Sequence, residues 1–352
     1  MSDQLATFLR QKSRLVAKAD WFNIFVCGLV VFYLLPVGSM IVTAFMPTEQ
    51  LSDPRAPIYP AKIVRFLYKG KNDPIYNVPT AQGIKQWALV NPSQDSSEFV
   101  DPQHPESGLI EWQGNWHDLT AVYAFAPTLE NFQVMARSLP LPRMMGITFF
   151  MVILTELGVL LSSIVVAYGF ARFPLPGGNL LFYLMIATIM IPDKVTHIPT
   201  YFFNFIFLHW VGTLYPLMVP FFFGNAIYIF LLRQNFKGLP IEIEEAAMLD
   251  GAGPLRRLFS IILPQSWPVV VTVSMLHFFY IWNETRQASI YLGPTQQLMP
   301  LSFAVQPYSA APPLNVVYAT TLLVMALPVI LLFLTQRLFL QSMIITGAEN
   351  KQ

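Results

Sequence analysis

Six long apolar runs constrain this chain more than any other feature of its sequence. The runs cover residues 21–46, 144–170, 180–198, 214–232, 269–282 and 316–338. An α-helix needs about 20 apolar residues to cross the hydrocarbon core of a bilayer, and in lipid it satisfies its own backbone hydrogen bonds. Only 12% of the residues are charged, about half the usual share in soluble domains. We therefore expect an all-α membrane protein with six transmembrane helices.

The first, third and fifth runs each need a structural interpretation. The first follows a basic arm, as the apolar part of a signal peptide would, but it is longer than such a segment and no small-residue cleavage site follows it. We therefore expect a retained first helix at residues 21–46. The third run is expected to break near Pro192, and the fifth to be extended backward through residues 264–268.

Basic residues near the ends of the runs indicate the orientation of the chain, because cytoplasmic loops of membrane proteins carry an excess of Lys and Arg. Two segments that flank the apolar runs are basic, with Arg10, Lys12, Arg14 and Lys18 near the N-terminus, and Arg233, Lys237, Arg256 and Arg257 further on. The stretch at 47–142 carries more basic residues, but long translocated segments largely escape the rule. We expect an N-terminal arm at 1–20, a loop at 233–267 and a tail at 341–352, all in the cytoplasm. Residues 143–340 then form a core of five helices.

The stretch at 47–142 is too long to be a simple connection between two helices. Its aromatic residues include Trp87, Trp112, Trp116 and Tyr123, whereas disordered segments have few aromatics. We expect a small folded extracytoplasmic insertion with short strands. A disordered loop is the alternative.

The loop at 233–267 contains the segment EEAAMLDGAGPLRRLFSIILP, which predicts two short helices. Pro240 suits the first position of a helix, and Gly251 can adopt the left-handed conformation that ends one. Pro254 then begins a second helix, whose Arg256 and Arg257 we expect in the water or headgroup layer. The small residues and acids of the first helix favour an exposed, partner-binding helix over an amphipathic helix lying on anionic lipid.

This segment resembles the EAA loop of the permease subunits of binding-protein-dependent ABC importers. The family pattern is E-A-A, three residues, G, nine residues, and I-x-L-P, and the matching residues are Glu245, Ala246, Ala247, Gly251, Ile261, Leu263 and Pro264. The extended form, with Glu244, Asp250 and Ala252, is similar to the carbohydrate-uptake subgroup related to the maltose permease MalG. Seven matching positions at fixed spacing make the resemblance specific.

The resemblance covers about residues 128–348 and the first run. Other segments that look like the subgroup are AYGFARFPLPGG, MIPDKVTHIPTYF, IFLLRQNFKGLP, WNET and QRLFLQSMIITGA. Two segments depart from it: the long insertion at 47–142, and the tail, where Gln341, Ser342 and Met343 replace a more usual Arg-Gly-rich ending. The departures leave the substrate open.

The resemblance implies a transporter that is assembled from several chains with different functions. In this family the EAA helix sits in a groove of a cytoplasmic ATPase subunit and carries its motion into the spans. This sequence has no G-x-x-x-x-G-K-[ST] phosphate loop, so ATP and Mg²⁺ are expected in partner ATPase subunits and no cofactor on this chain. The expected partners are a second homologous permease subunit, two ATPase subunits and an extracytoplasmic solute-binding protein, in a prokaryotic plasma (inner) membrane. A net charge of +1 does not indicate nucleic-acid binding.

The middle runs supply candidate contacts for a transported solute. Sugars stack on aromatic rings and hydrogen-bond to amide and hydroxyl groups. The candidate pathway residues are Tyr228, Phe278, Phe279, Tyr280, Trp282, Asn283 and the intramembrane acid Glu156. Helix packing is the alternative for the rings, and a structural hydrogen bond is the alternative for Glu156. His277 is expected to be a packed polar residue, with neither a metal site nor a catalytic cluster in the chain.

The predicted function is thus a permease subunit that forms half of the pathway for an imported sugar or oligosaccharide. The same machinery could instead import a polyamine, phosphate or peptide. A secondary transporter driven by an ion gradient would need inverted repeats and matched intramembrane acids, and Glu156 alone does not supply them. A membrane enzyme would need a catalytic cluster.

Overall fold

The computed structural model of this protein describes residues 2–80, 82–293, 295–305 and 313–348. These residues divide into two compact units, Met1–Ser138 with Pro307–Leu322, and Leu139–Gln306 with Leu323–Gln352. Parts of the expected segments, at 81, 294, 306–312 and 349–352, lie outside the described residues.

The α-helices are, in chain order, α1 Ser2–Ala44, α2 Thr48–Leu51, α3 Glu130–Ser138, α4 Leu141–Arg172, α5 Gly178–Thr188, α6 Asp193–Phe202, α7 Tyr215–Met218, α8 Ala226–Gly238, α9 Ile241–Leu249, α10 Pro254–Arg257, α11 Leu263–Gln265, α12 Trp267–Trp282, α13 Arg286–Leu292 and α14 Leu314–Ala348. Short 3₁₀ helices lie at Pro105–Ser107, Trp116–Asp118, Val219–Phe223, Gln296–Leu298 and Leu301–Val305, and π-helical turns at Phe203–Phe207 and Leu258–Ile262. The strands are β1 Ala61–Ile63, β2 Arg65–Tyr68, β3 Lys71–Thr80, β4 Gly83–Asn91, β5 Ser96–Val100, β6 Ile110–Gln113, β7 Thr120–Ala121 and β8 Tyr123–Phe125.

The first unit contains an antiparallel sheet, which confirms the short strands expected at 47–142 and means that the chain as a whole is not all-α. Its strands follow the order β2-β3-β4-β5-β6, with β7 paired to β3, and β1 pairs separately with β8. Aromatic and branched residues alternate between its faces, and one face buries Val78, Trp87, Leu89, Phe99 and Leu119. Such a buried core excludes the disordered loop that we considered as the alternative.

Two buried asparagines join the helices of the first unit. The Asn131 amide donates to the carbonyl oxygens of Ala44 and Met46, each at 2.8 Å. The Asn315 amide donates to the Met46 carbonyl and to Asn131 Oδ1, each at 2.9 Å. The end of α1, the start of α3 and the start of α14 therefore share one hydrogen-bonded hub, which satisfies carbonyls that a helix end leaves unpaired.

The second unit is built around α4, α8 and α12. Their buried residues include Val159, Leu232, Phe236 and Val273, each fully or almost fully excluded from solvent. The pattern agrees with helices that are apolar on nearly every side, as buried or membrane-spanning helices are. This packing positions the C-terminal end of α4 beside the loop that contains α9.

Among the described residues, four helices are long and apolar enough to cross a membrane: Trp21–Ala44, Leu141–Arg172, Tyr215–Gly238 and Leu314–Arg337. A fifth span results if Pro254–Gln265 and Trp267–Trp282, which meet at 84°, are counted as one. Helix length therefore supports four or five spans where we expected six. The expected third span is divided, because α5 ends at Thr188 and α6 begins only after Pro192.

The expected backward extension of the fifth span through residues 264–268 holds for Trp267 and Pro268, which belong to α12, but the chain turns sharply at Ser266 before them. Ser266 leaves the helical region with φ −97° and ψ 7°, and α12 begins at Trp267 with Pro268 in its first turn. Proline is tolerated there because the first turn needs no intrahelical N–H donor. Pro264 belongs to the preceding α11. The helical segment Pro254–Gln265, which contains α11, meets α12 at 84°.

The helices at both ends of the chain extend into the segments that we expected to form the cytoplasmic arm and tail. Helix α1 runs without interruption from Ser2 to Ala44, so the basic arm at 1–20 continues into the apolar segment. Helix α14 likewise continues to Ala348, past the start of the expected tail at 341–352.

Candidate functional site

Helix α9, which contains the E-A-A residues, begins after Pro240 and ends at Leu249. Pro240 stands at the N-cap position, one residue before the first helical position that we expected for it. Gly251 has φ +80°, which confirms the predicted left-handed helix end. The N–H of Ala252 donates to the Ala247 carbonyl at 2.9 Å, and that of Gly251 to the Met248 carbonyl at 3.0 Å. This pair of bonds is the Schellman motif, which stops the helix at a defined residue.

The outer side of α9 is exposed, and we call Glu245, Ala246 and Leu249 its docking face. All three side chains are exposed, and Leu249 is 91% exposed. Ala247 is buried against the rest of the unit. The two alanines therefore have different surroundings, because one faces solvent and the other allows α9 to pack closely on its own chain.

Glu244, the residue before the E-A-A triplet, is buried and only 2% exposed. Arg172 Nε lies 3.0 Å from Glu244 Oε2, and Arg257 Nη1 lies 3.6 Å from Glu244 Oε1. The Tyr168 hydroxyl donates a hydrogen bond to Glu244 Oε1. Neither of these two arginine contacts meets the geometry of a hydrogen bond, so both act as ion pairs.

The burial of Arg257 contradicts our expectation that this residue stays in the water or headgroup layer. Its side chain is 8% exposed, whereas its neighbour Arg256 is exposed as expected. The physical reason is the buried carboxylate of Glu244, since a charge removed from water needs a partner of opposite sign. Helical spacing places Glu244 and Ala247 on one face of α9, but it does not identify Arg257, which lies on another helix, as the partner of Glu244.

Two further arginine contacts hold the segment before α9 against the end of α4. Arg172 Nη2 donates to the Leu239 carbonyl at 2.9 Å. Arg233 Nε donates to the Phe170 carbonyl at 3.2 Å, and its guanidinium lies 3.8 Å from the centre of the Phe182 ring. Sequence patterns predicted none of these pairings.

The remaining motif residues follow α9 in the chain. Asp250 caps the C-terminus of α9 and is exposed, while Ala252 is half-buried. Ile261 is half-buried in the π-helical turn, and Leu263 and Pro264 open α11. The buried core of this region is formed by Leu258 and Ile262, so the I-x-L-P residues flank the core.

Polar residues meet inside the second unit, between α4, α8 and α12. The fully buried His277 has Nε2 3.0 Å from Thr155 Oγ1, and the Phe221 and Tyr228 rings pack against its imidazole. Both carboxylate oxygens of Glu156 are buried and have no hydrogen-bond partner among the residues that the structure describes. The Phe221 ring also packs edge-on against the Tyr280 ring, with centroids 6.0 Å apart. Of the predicted pathway residues, Tyr228 and Tyr280 therefore lie around the same Phe221 and His277 rings, and Glu156 follows Thr155 on α4.

The other predicted pathway residues lie near the end of α12. Phe278 and Trp282 are buried, with stacked rings 5.4 Å apart, and Trp282 Nε1 donates to the Val324 carbonyl at 3.0 Å. Phe279 is half-buried and Asn283 is exposed. Phe279, Trp282 and Asn283 line a cavity of about 230 Å³ together with the middle of α14. In the part of the chain that the structure describes, no group of three His, Cys, Asp or Glu residues could hold a metal ion.

Comparison with protein families matches residues 158–345 to the model described as the binding-protein-dependent transport system inner membrane component. The matched segment contains α9, Glu244 with its partners Tyr168, Arg172 and Arg257, and the polar residues of α8 and α12. It covers more than half of the chain.

Two relatives illustrate the similarity of sequence. The putative ABC transporter permease protein ORF2 of Caldicellulosiruptor sp. (strain Rt8B.4) is 36% identical over 146 residues, which cover 41% of this chain and 52% of that protein. The sn-glycerol-3-phosphate transport system permease protein UgpE of Yersinia pestis bv. Antiqua (strain Antiqua) is 31% identical over 219 residues, which cover 59% of this chain and 74% of that protein.

A solved structure has a similar fold. It is the crystal structure of a bacterial ABC transporter involved in the import of the acidic polysaccharide alginate, and one of its chains superposes with a TM-score of 0.62 at 15% identity. The superposition covers 90% of this chain and 95% of that chain. The family match and the similarity to UgpE lead to one conclusion: this chain belongs to the family of binding-protein-dependent transport system inner membrane components.

Proposed function

We propose that this chain is the permease subunit of an ATP-driven importer and forms half of the pathway for a sugar or oligosaccharide. The observation that carries the proposal is α9, a short helix fixed to its own chain on one side and exposed on the other. The docking face presents a carboxylate, a small residue and a large apolar side chain, Glu245, Ala246 and Leu249. Small residues permit close approach, while a charge and an apolar anchor provide specificity and contact area.

The docking face is suited to a groove on a cytoplasmic ATPase subunit. Leu249 fills an apolar pocket there, and Glu245 pairs with a basic residue. ATP and Mg²⁺ bind to that partner, since this chain has no phosphate-binding loop. When ATP closes a pair of ATPase subunits, α9 moves with the groove and biases the spans toward one of two arrangements.

The complete transporter in this proposal contains a second homologous permease subunit, two ATPase subunits and an extracytoplasmic solute-binding protein. Both termini of this chain and residues 233–267 face the cytoplasm of a prokaryotic cell. The sheet of the first unit, β2 to β7, faces the other side and contacts the binding protein.

The solute passes the polar residues of α4, α8 and α12. Glu156, Tyr228 and Tyr280 offer hydroxyl and carboxyl groups to a solute rich in hydroxyls, and Asn283 offers an exposed amide. The name of UgpE, a permease for sn-glycerol-3-phosphate, supports a small polyhydroxylated solute. The packed rings of Phe278 and Trp282 shape the wall behind these groups, and Phe279 lies at its edge.

Purification of the tagged chain from its native membranes tests this proposal. We expect an ATPase chain with a G-x-x-x-x-G-K-[ST] loop and a second permease chain to copurify, and we expect ATP hydrolysis that rises when the cognate binding protein and its solute are added. Transport by the purified chain alone, without an ATPase and in response to an ion gradient, would contradict the proposal.

A further inference from the structure

The inner side of α9 carries a buried charge cluster that the docking face does not need. Glu244 receives contacts from α4 through Tyr168 and Arg172, and from α10 through Arg257. All three charged side chains are at least nine-tenths buried, with exposures of 2% for Glu244, 9% for Arg172 and 8% for Arg257. A cluster with this degree of burial is costly unless its charges stay together.

The cluster holds α9 to α4 at two separate points. Arg172 contacts the Glu244 carboxylate and also donates to the Leu239 carbonyl, just before α9 begins. Tyr168 stands one helical turn before Arg172 on the same face of α4, as residues four apart do. Two points of attachment restrict rotation of α9 about its own axis as well as its separation from α4.

The charges of the cluster are unbalanced, with two guanidinium groups for one carboxylate. If Glu244 loses its charge, two buried cations remain without an anion from this cluster. If Arg257 is replaced by an apolar residue, one balanced pair remains. Glu244 is therefore the residue on which the whole cluster depends.

We propose that Tyr168, Arg172, Glu244 and Arg257 form a latch that makes α9 and the end of α4 move as one body. Glu244 is then a positioning residue, because it acts by fixing the orientation of the docking face. The role of the latch in transport rests on the proposed function, but its effect on the two helices does not.

Spin-label distances test the latch directly. In a chain with Cys27→Ser, nitroxide labels are attached through Val165→Cys on α4 and Met248→Cys on α9, which are 48% and 50% exposed. Double electron–electron resonance gives the distribution of distances between the labels, in the complex with its copurifying ATPase, with and without MgATP and vanadate. The latch predicts one narrow peak at the same distance in both conditions.

Glu244→Gln removes the anion of the latch, and we expect the narrow peak to broaden and to shift with MgATP and vanadate. Glu242→Gln is the matched control, since Glu242 is exposed on the same helix, and it should leave the peak narrow. The exchange Glu244→Arg with Arg257→Glu keeps two cations and one anion and should restore the narrow peak. A merely structural role for Glu244 would not predict rescue by this exchange.

Two results would overturn the latch: a Glu244→Gln peak as narrow as that of the parent chain, or a parent peak that moves with MgATP and vanadate. If Glu244→Gln does not insert into membranes, Arg257→Met, which keeps the Arg172–Glu244 pair, is measured instead and should give an intermediate width. If no ATPase copurifies, the proposed function fails. The peak width in the chain alone then still decides whether the latch exists.

Discussion

Gly251 fixes the end of α9 through its backbone alone. Its φ of +80° lies in the left-handed region, and a Cβ added there would meet no heavy atom within 4 Å. Any penalty for a side chain at this position is therefore conformational and not steric. Gly253, two residues later, has an ordinary φ of −68° and equally open surroundings.

We predict that Gly251→Val impairs coupling and that Gly253→Val does not. The left-handed conformation costs a residue with a side chain about 1–2 kcal/mol, and a β-branched residue is especially unfavourable there. The end of α9 should unwind or shift, which displaces Leu249 from the docking face. The measurement is ATP hydrolysis stimulated by the binding protein in the assembled complex, with insertion of the chain checked in membranes. Equal stimulation for both variants would show that the end of α9 has no part in coupling.

Single residues also show what the sequence could and could not predict. The role of Gly251 was predictable because a helix end is a local requirement, satisfied by bonds among residues close in the chain. The burial of Arg257 was not, because its partner Glu244 is on another helix and the cluster is completed by Tyr168 and Arg172 on α4. Composition and helical spacing describe one element at a time and contain no information on such pairings.

At the scale of an element, the helices of the second unit show the same limit of what a sequence can predict. Hydropathy located the apolar segments, but it averages over a window and does not report where a helix changes direction. The break between α5 and α6 was predicted only because Pro192 marks it, and the 84° bend at Ser266 remained hidden although Pro264 and Pro268 flank it. Short strands were expected at 47–142 from its aromatic residues, yet strand order and register depend on pairings between distant segments.

The antiparallel sheet of the first unit can be deleted as one segment without cutting the β1–β8 pair. Strands β1 and β8 pair with each other, with Ile63 opposite Tyr123, and the Val64 N–H donates to the Val122 carbonyl at 2.8 Å. The two ends of the segment 65–121 are therefore attached at neighbouring positions of the β1–β8 pair. Replacing them by Asn-Gly, which favours a two-residue hairpin turn, should preserve the β1–β8 pair.

We predict that this replacement leaves basal ATP hydrolysis intact and removes its stimulation by the binding protein. The reason is that the sheet contacts the binding protein in the proposed assembly, whereas α9 belongs to the other unit. The same purified complex provides both rates, so each preparation contains its own control. Full stimulation after the replacement would exclude the sheet from solute delivery.

At the scale of the whole molecule, the orientation of the chain in the membrane decides whether the proposed function is possible. The distribution of basic residues predicts that residues 233–267 lie in the cytoplasm and that β2 to β7 lie outside it. Two exposed positions report on these sides, Leu249 on α9 at 91% exposure and Ile84 on β4 at 75%.

We predict opposite labelling of Ile84→Cys and Leu249→Cys in right-side-out vesicles carrying the Cys27→Ser chain. A membrane-impermeant maleimide should modify Ile84→Cys at once, and Leu249→Cys only after the vesicles are opened by detergent. Equal modification of the two cysteines in sealed vesicles would contradict the predicted orientation.

The central claim is that α9 contacts an ATPase subunit through its docking face. A photo-crosslinking amino acid placed at Ala246, in the middle of that face, tests the claim in intact native membranes, with the same group at Ile84 as the control. We predict an ultraviolet-dependent crosslink from position 246 to a chain that contains a G-x-x-x-x-G-K-[ST] loop, and none to that chain from position 84. A group at position 246 that crosslinks only to lipid, or to a protein outside the cytoplasm, would contradict the account.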